Sequence, residues 1–315
     1  MHIVSSRWFK IFISFSLFVL LLRATDLNAF RERLSGTQIE WVALAFIGYL
    51  LSQVLSAYKW RVLALPLGFL QPFRSFVAYY FAGMYLNLFA PSTLAGDLGR
   101  GALLAEGRAR LGAALQSVVA DRISGLVMLL WMCVSGLPFA DPGILPLRWR
   151  LGVVAAAVGA VAGWWFLLQL LARFFHSENK FRRLFEQLIG PYQHAPRVLA
   201  KACALSLLFH FFQFGLQVMI AQALSLEVAL WYLVVCVPLI NILSGLPISF
   251  AGLGVRESGY VLFLAFVGIS RERALAFGLL WSAIVLAANA AGGLALVLSP
   301  TARLPLTVAK RTSGE

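Results

Sequence analysis

Charged residues are scarce in this sequence. They make up only 12% of its 315 residues, while hydrophobic residues make up 61%, and an ordinary soluble domain carries about 25% charged residues. The apolar residues fall in runs long enough for a helix to cross about 30 Å of hydrocarbon at about 1.5 Å per residue. The composition excludes a soluble globular protein and predicts an all-α polytopic membrane protein.

The sequence also lacks the signatures of several kinds of chemistry. Its three cysteines, Cys133, Cys203 and Cys236, lie inside apolar runs and are typical of core residues. No His, Cys or carboxylate cluster has metal-ligand spacing, and neither a Walker sequence nor a Ser-His-Asp set is present. We therefore expect no metal, no cofactor and no direct use of ATP.

Acidic residues are half as frequent as basic ones, with 13 Asp and Glu against 26 Lys and Arg, which gives a net charge of +13. In a soluble protein this excess would suggest a nucleic-acid partner. Here the basic residues lie mostly in short loops beside apolar runs, where they set the orientation of spans and contact anionic lipid. The sequence predicts a membrane lipid as partner and no nucleic acid.

Eight clear apolar spans are predicted. The first follows Arg7 and Lys10, but no small-residue cleavage site comes after it, so it is predicted to be a span and not a signal peptide. The spans are Trp8–Leu22, Trp41–Ala57, Pro72–Ala90, Leu111–Leu137, Leu151–Leu171, Ala202–Leu224, Ala229–Leu246 and Ala274–Leu298.

Two further segments, Pro91–Ala105 and Pro247–Gly268, are apolar but carry Pro, Gly and charge at their starts. They are predicted to be broken helices. If both cross the bilayer, the chain has ten crossings, and the basic segment 173–201 and both termini face the cytoplasm, as the positive-inside rule requires. Re-entrant hairpins that dip into the membrane and return remain the alternative.

The two broken segments resemble each other, at an offset of 156 residues (247 minus 91). Each reads Pro, three residues, Ala-Gly, three residues, Arg, and each follows a span that contains an Asn. The pattern predicts two membrane repeats, residues 1–150 and 151–300, followed by a cytoplasmic tail, residues 301–315. Because each half has an odd number of crossings, the halves would be inverted relative to each other, as in many transporters.

The repeated pattern suits an anion site. Pro91 and Pro247 end the incoming helices, Gly96 and Gly252 allow a tight turn, and the restarted helix near Asp97 or Gly254 presents its positive end. Arg100 and Arg256 follow about one turn later and would add a guanidinium to a bound phosphate or carboxylate. In the alternative reading, Arg100 pairs with Asp97 and Arg256 with Glu257, or both arginines extend to an interface.

Other polar residues lie within the spans. Asp121 and Arg122 lie deep in the fourth span, where an ionisable pair indicates a functional site or an ion pair between helices. Lys59, Trp60 and Arg61 are typical of an interfacial aromatic and basic belt. On the sixth span one helical face carries three polar residues, which predicts hydrogen bonds between helices: His210, Gln213 and Gln217.

Four stretches of this sequence resemble the lysylphosphatidylglycerol synthase transmembrane-region family. They are Tyr58–Arg61, Asn87–Arg100, Asp121-Arg122 and, most specifically, the Gly-Leu-Gly-Val-Arg-Glu stretch that ends at Glu257. The resemblance extends from about Trp8 to Leu298. The chain departs from the common pattern with Ala251 where Gly is frequent and Lys59 where Arg is frequent.

The resemblance implies a lipid flippase or related lipid transporter of the bacterial inner membrane. In two-domain members a separate cytoplasmic domain makes the aminoacyl lipid, and the polar segment 173–201 is too short to form one, so we expect no enzyme activity. Expected substrates are an anionic phospholipid, an aminoacylated lipid or a polyprenyl-phosphate-linked lipid. The alternatives are an intramembrane transferase, or a non-catalytic subunit that associates with a lipid-biosynthesis enzyme.

Overall fold

A computed structural model describes residues 36–89, 94–174, 190–192, 195–245 and 253–294. The predicted first span, the helix breaks at Pro91 and Pro247, Gly252 and the tail lie outside these residues. Within them every regular element is helical: α1 Ile39–Ala64, α2 Phe73–Leu86, α3 Leu94–Ala105, α4 Leu111–Gly136, α5 Leu147–Phe174, α6 Pro196–Ala223, α7 Leu230–Gly245, α8 Val255–Ala265 and α9 Arg271–Ala291.

The described helices confirm a helical membrane protein. Four segments are long and apolar enough to cross a bilayer, namely Ile39–Leu67, Arg108–Phe139, Pro196–Ala223 and Arg271–Ala291. Apart from the first, every predicted span coincides with a helix, although α2 and α7 have only 14 and 16 residues. Large apolar side chains such as Leu44, Ile47 and Leu51 on α1 are exposed, as expected of a surface that faces lipid.

Helices α1 and α6 form a long antiparallel pair. The amide of Gln38, just before α1, donates to the carbonyl of Ala223 at the end of α6, 3.1 Å away. At the opposite end of the pair, the Lys201 ammonium near the start of α6 donates to the Tyr58 hydroxyl near the end of α1, at 3.0 Å. The loops that follow the two helices therefore lie at opposite ends of the pair.

The first hairpin consists of α2 and α3, which runs back along it. Gln71, just before α2, donates to the carbonyl of Leu104 at the end of α3, so the hairpin begins and ends at the same level. With 14 and 12 residues, these helices are only about 21 and 18 Å long, too short to cross about 30 Å of hydrocarbon. The lengths of these two helices favour the re-entrant alternative for the first broken segment.

The second hairpin consists of α7 and α8 and has the same form. The hydroxyl of Tyr232 near the start of α7 donates to the carbonyl of Phe263 near the end of α8. Closer to the tip, Ile240 packs on Gly259. Helix α8 has 11 residues, so it too is shorter than a membrane crossing.

The described helices occur in the same order in both halves: a long helix, a hairpin and a second long helix. Each hairpin packs on the long helix that follows it, α4 or α9. Helix α4 also packs on α7 of the other half, and α9 packs on α2. This arrangement brings the start of α3 close to the end of α7 and the start of α8, and the predicted boundary at residue 150 falls in the first turn of α5.

Candidate functional site

A pocket with five polar or charged lining side chains lies between the start of α3, the end of α7 and the start of α8. Its volume is about 330 Å³, and it is beside the middle of α4. Both halves of the chain contribute to its wall, the first through α3 and α4 and the second through α7 and α8. The lining residues are Leu94, Asp97, Arg122, Asn241, Ser244, Gly245 and Arg256.

Among the described side chains that form ion pairs, that of Arg122 is the most exposed. Its guanidinium donates from Nε to Oδ2 of Asp97 at 2.8 Å and from the NH2 group to Oδ1 at 3.0 Å. The side chain is nevertheless 54% exposed, whereas that of Asp97 is only 12% exposed. Arg122 thus joins α4 to α3, and half of its surface remains available to a ligand in the pocket.

Arg100, predicted to be a ligand for the headgroup, is not among the residues that line the pocket. It is buried, donates to Asp121 at 2.8 Å and to Asp97 at 3.0 to 3.2 Å, and lies over the rings of Trp60 and Tyr80. Helix α3 begins at Leu94, earlier than predicted, so Arg100 lies almost two turns inside it. The alternative reading, an ion pair with Asp97, is the one observed.

For Asp121 the structure shows the second of the two predicted readings, an ion pair between helices. It is 4% exposed and accepts from Arg100 on one oxygen, while the ammonium of Lys59 lies 2.8 Å from the other. It therefore links α1, α3 and α4 and does not line the pocket. Asp121 and Arg122 are not paired with each other, since Asp121 contacts Arg100 and Lys59 whereas Arg122 contacts Asp97.

Lys59, like Trp60 beside it, does not lie in the predicted interfacial belt. It is buried, not interfacial, and it completes a series of alternating charges that we call the charge chain: Lys59, Asp121, Arg100, Asp97 and Arg122. A signal for this burial is the helical spacing of Ser52, Ser56 and Lys59, which places a polar stripe along the inner face of α1. The charge chain has three cations and two anions, hence a net charge of +1.

Gly96 allows α2 and α3 to pack closely, and its N–H group is not free to bind an anion. Its N–H donates to Oδ1 of Asn87 at 2.8 Å. A Cβ on Gly96 would overlap the carbonyl oxygen of Gly83 in α2. The predicted anion site at the start of α3 is therefore occupied by the Asn87 side chain.

Glu257 closes the start of α8 in a similar way. Its Oε2 accepts from the N–H of Gly254 at 2.6 Å, and Gly254 has a φ of 81°, a conformation that favours glycine. Its Oε1 accepts from the hydroxyl of Ser282, and that hydroxyl accepts from Arg256 at 3.2 Å. Glu257 is thus a capping residue, and the predicted direct pair with Arg256 is replaced by a bridge through Ser282.

Arg256 lines the pocket from the second half and keeps hydrogen-bonding capacity. The Ser282 hydroxyl accepts one hydrogen bond from the NH1 group of Arg256. Its Nε is buried and has no hydrogen-bond partner among the residues described. Arg256 forms no ion pair with another described residue, so its charge is available to an anion in the pocket.

The polar stripe of α6 connects helices, as predicted. Gln213 donates to Ser52 of α1 at 2.6 Å, and Gln217 accepts from the Tyr260 hydroxyl of α8. A ring nitrogen of His210 lies 2.8 Å from the carbonyl of Gly125 in α4. Across the part of the chain described, no group of three His, Cys, Asp or Glu side chains is placed to hold a metal ion.

Comparison with known proteins places this architecture in a family. Residues 7–293 match the family described as the lysylphosphatidylglycerol synthase TM region. No curated protein and no solved structure gives a significant match. The match covers most of the chain, including both hairpins and the pocket between them. The chain therefore belongs to the lysylphosphatidylglycerol synthase transmembrane-region family and is a membrane protein with a lipid-related role.

Proposed function

We propose that this protein is a flippase or transporter for a lipid with a phosphate in its headgroup, acting in the bacterial inner membrane with both termini in the cytoplasm. One observation carries the proposal: Arg122 from the first half and Arg256 from the second line the same pocket. Cationic side chains within a membrane are costly and are typical of substrate pathways. In this proposal the protein has no enzyme activity of its own, and its partner is a lipid-biosynthesis enzyme that supplies the substrate.

The pocket offers the contacts that a phosphate group needs. A guanidinium binds phosphate through two parallel hydrogen bonds, and Arg122 and Arg256 approach from opposite halves. Asn241 and Ser244 add a neutral amide and a hydroxyl to the wall. The headgroup would occupy the pocket while the acyl or prenyl tails remain in the bilayer. An anionic phospholipid, an aminoacylated lipid and a polyprenyl-phosphate-linked lipid all carry the required group.

We further propose that the two halves are an inverted repeat. The antiparallel course of α1 and α6, which are equivalent in the two halves, supports this relation. In an inverted repeat the two hairpins enter from opposite sides of the membrane and meet at the pocket. Rocking of one half against the other would then expose the same pocket to each side in turn.

The proposal is tested by lipid movement in liposomes that contain the purified protein. We expect Arg256→Ala to abolish the transbilayer movement of fluorescent phosphatidylglycerol, because the second half then offers no cation to the phosphate. Arg256→Lys keeps the charge but loses the two-point geometry, so it should retain a reduced rate. A zwitterionic phosphatidylcholine probe measures headgroup selectivity in the same vesicles.

The matched control is Arg74→Ala, which removes one positive charge from an exposed position in the first turn of α2. It should transport like the wild type. Full transport by a folded Arg256→Ala protein would contradict the role of this arginine. Absence of movement for anionic, aminoacylated and polyprenyl-phosphate probes alike would contradict the flippase proposal.

A further inference from the structure

We propose that Asp97 is a built-in competitor for the lipid headgroup: its carboxylate binds Arg122 and must be displaced from it by the incoming phosphate. This inference rests on the proposed function and adds a selectivity element to the same site. Asp97 would act through Arg122 and set which headgroups are able to enter.

The geometry of Asp97 is that of a bound anion. Both of its oxygens accept hydrogen bonds from Arg122, at 2.8 and 3.0 Å. This is the two-point arrangement by which a guanidinium binds a phosphate. Asp97 lines the pocket together with Arg122, so a ligand that approaches Arg122 from the pocket competes with this carboxylate.

Asp97 has a second cation that remains when Arg122 is taken over. Oδ1 of Asp97 lies 3.0 Å from the buried NH2 group of Arg100. Displacement from Arg122 therefore does not leave an unpaired carboxylate inside the membrane, which would be strongly unfavourable. The exchange replaces one guanidinium–carboxylate pair with one guanidinium–phosphate pair and leaves every anion with a cation.

The charges also favour a negative group. The charge chain has a net charge of +1 and Arg256 adds a second positive charge to the pocket wall, and a phosphodiester headgroup contributes a negative charge at its phosphate. A neutral glycolipid has no group that competes with the Asp97 carboxylate, so it is excluded. Asp97 thereby makes an anionic phosphate a condition for entry.

Binding of acyl-labelled fluorescent phosphatidylglycerol to the full chain in dodecyl maltoside micelles, whose detergent carries no phosphate, tests this role. We expect Asp97→Asn to lower the apparent dissociation constant about tenfold, the order of effect that one charge-assisted contact represents. Asp97→Ser, which also removes the carboxylate, should likewise lower the apparent dissociation constant, and it replaces the Asn variant in the test if that variant folds poorly.

The control is Glu106→Gln, which makes the same change in charge at an exposed position just after α3. It should leave the dissociation constant unchanged, and an equal gain there would show that overall charge is responsible and overturn the competitor role. Unchanged or weaker binding in both Asp97 variants would also overturn it. In that second case Asp97 would only position Arg122.

Two further variants separate this inference from the proposed function. If Arg122→Ala and Arg256→Ala bind the lipid as the wild type does, the pocket is not the headgroup site and both ideas fail. If both lose binding while Asp97→Asn gains none, the site stands and the competitor role alone fails.

Discussion

At the residue scale, the charge chain shows how charged side chains are tolerated inside this membrane protein. A buried charge is costly unless it is paired and hydrogen-bonded. Each carboxylate in the chain contacts two cations, and Arg100 additionally faces Trp60 and Tyr80, with its guanidinium carbon 4.8 and 4.9 Å from the ring centres. The resulting cation–π contacts stabilise a guanidinium that water does not reach.

Lys59 provides a test of this arrangement. Lys59→Met should lower the free energy of unfolding by about 3–5 kcal/mol, because Asp121 then keeps only Arg100 and one buried oxygen is left without its cation. The side chains of Lys59 and Asp121 are only 6% and 5% exposed, so solvent does not compensate. Unfolding in mixed detergent micelles, followed by tryptophan fluorescence, measures the change.

A double-mutant cycle completes this test. The combination of Lys59→Met with Asp121→Asn should cost less than the sum of the single changes, since the two residues interact directly. Lys201→Met, at an exposed site on α6, should change stability by no more than about 0.5 kcal/mol. Strict additivity in the cycle would show that the ion pair contributes nothing to the folded state.

The sequence identified most of these charges and, in its alternative reading, the Arg100–Asp97 pair, but not the partners on other helices. Asp97, Arg100, Asp121 and Arg122 stand out because ionisable residues are rare in apolar runs. The pairs between helices depend on how α3 packs against α4 and α1, which no local pattern encodes. Lys59 was misplaced for the same reason, since a lysine near the end of a hydrophobic run usually extends to the interface.

At the scale of elements, the hairpins depend on close approach between short helices. The backbones of α2 and α3 meet at Gly83 and Gly96, where a Cβ on Gly83 would lie 2.7 Å from the Gly96 carbonyl oxygen. Small residues at such contacts are typical of helix packing in membranes. The close contact fixes the start of α3, which carries Asp97 to the pocket.

Gly96→Ala should therefore destabilise the protein by about 1–3 kcal/mol, the usual cost of overpacking, and should reduce lipid transport through displacement of Asp97. Gly215→Ala is a matched control within α6, where an added Cβ has no neighbour within 4 Å. It should be neutral, or stabilising by about 0.5–1 kcal/mol. Thermal unfolding in detergent compares the two variants, and equal stability would contradict the close-packing role.

The positions of the elements were largely predictable, whereas their depth in the membrane was not. Apolar runs located the described helices, although the end of α1 and the start of α6 differ from the prediction by seven and six residues, and Gly with charge marked the starts of α3 and α8. Hydropathy does not distinguish a full crossing from a re-entrant hairpin, because both are apolar. Helix length favours the hairpin, since α2 and α3 have only 14 and 12 residues, and the Gln71–Leu104 contact shows that α3 returns along α2.

At the scale of the whole molecule, the two halves place one pocket between two hairpins. Equivalent helices repeat in order, and equivalent contacts repeat with them: α4 packs on α7 as α9 packs on α2. If the halves are inverted, the loop that follows α1 and the loop that follows α6 lie on opposite sides of the membrane. Whether the halves are inverted can therefore be tested by finding which side of the membrane each of these loops faces.

Cysteine labelling decides this question. Leu70→Cys in the first loop and Glu227→Cys in the second are exposed positions, to be introduced after Cys133, Cys203 and Cys236 are replaced by Ser or Ala. With an impermeant maleimide on intact cells, we expect Glu227→Cys to react and Leu70→Cys to react only after permeabilisation, since basic loops remain in the cytoplasm. Reaction of both from the same side would contradict the inverted repeat, whereas the opposite pattern would keep the inversion and reverse the proposed orientation.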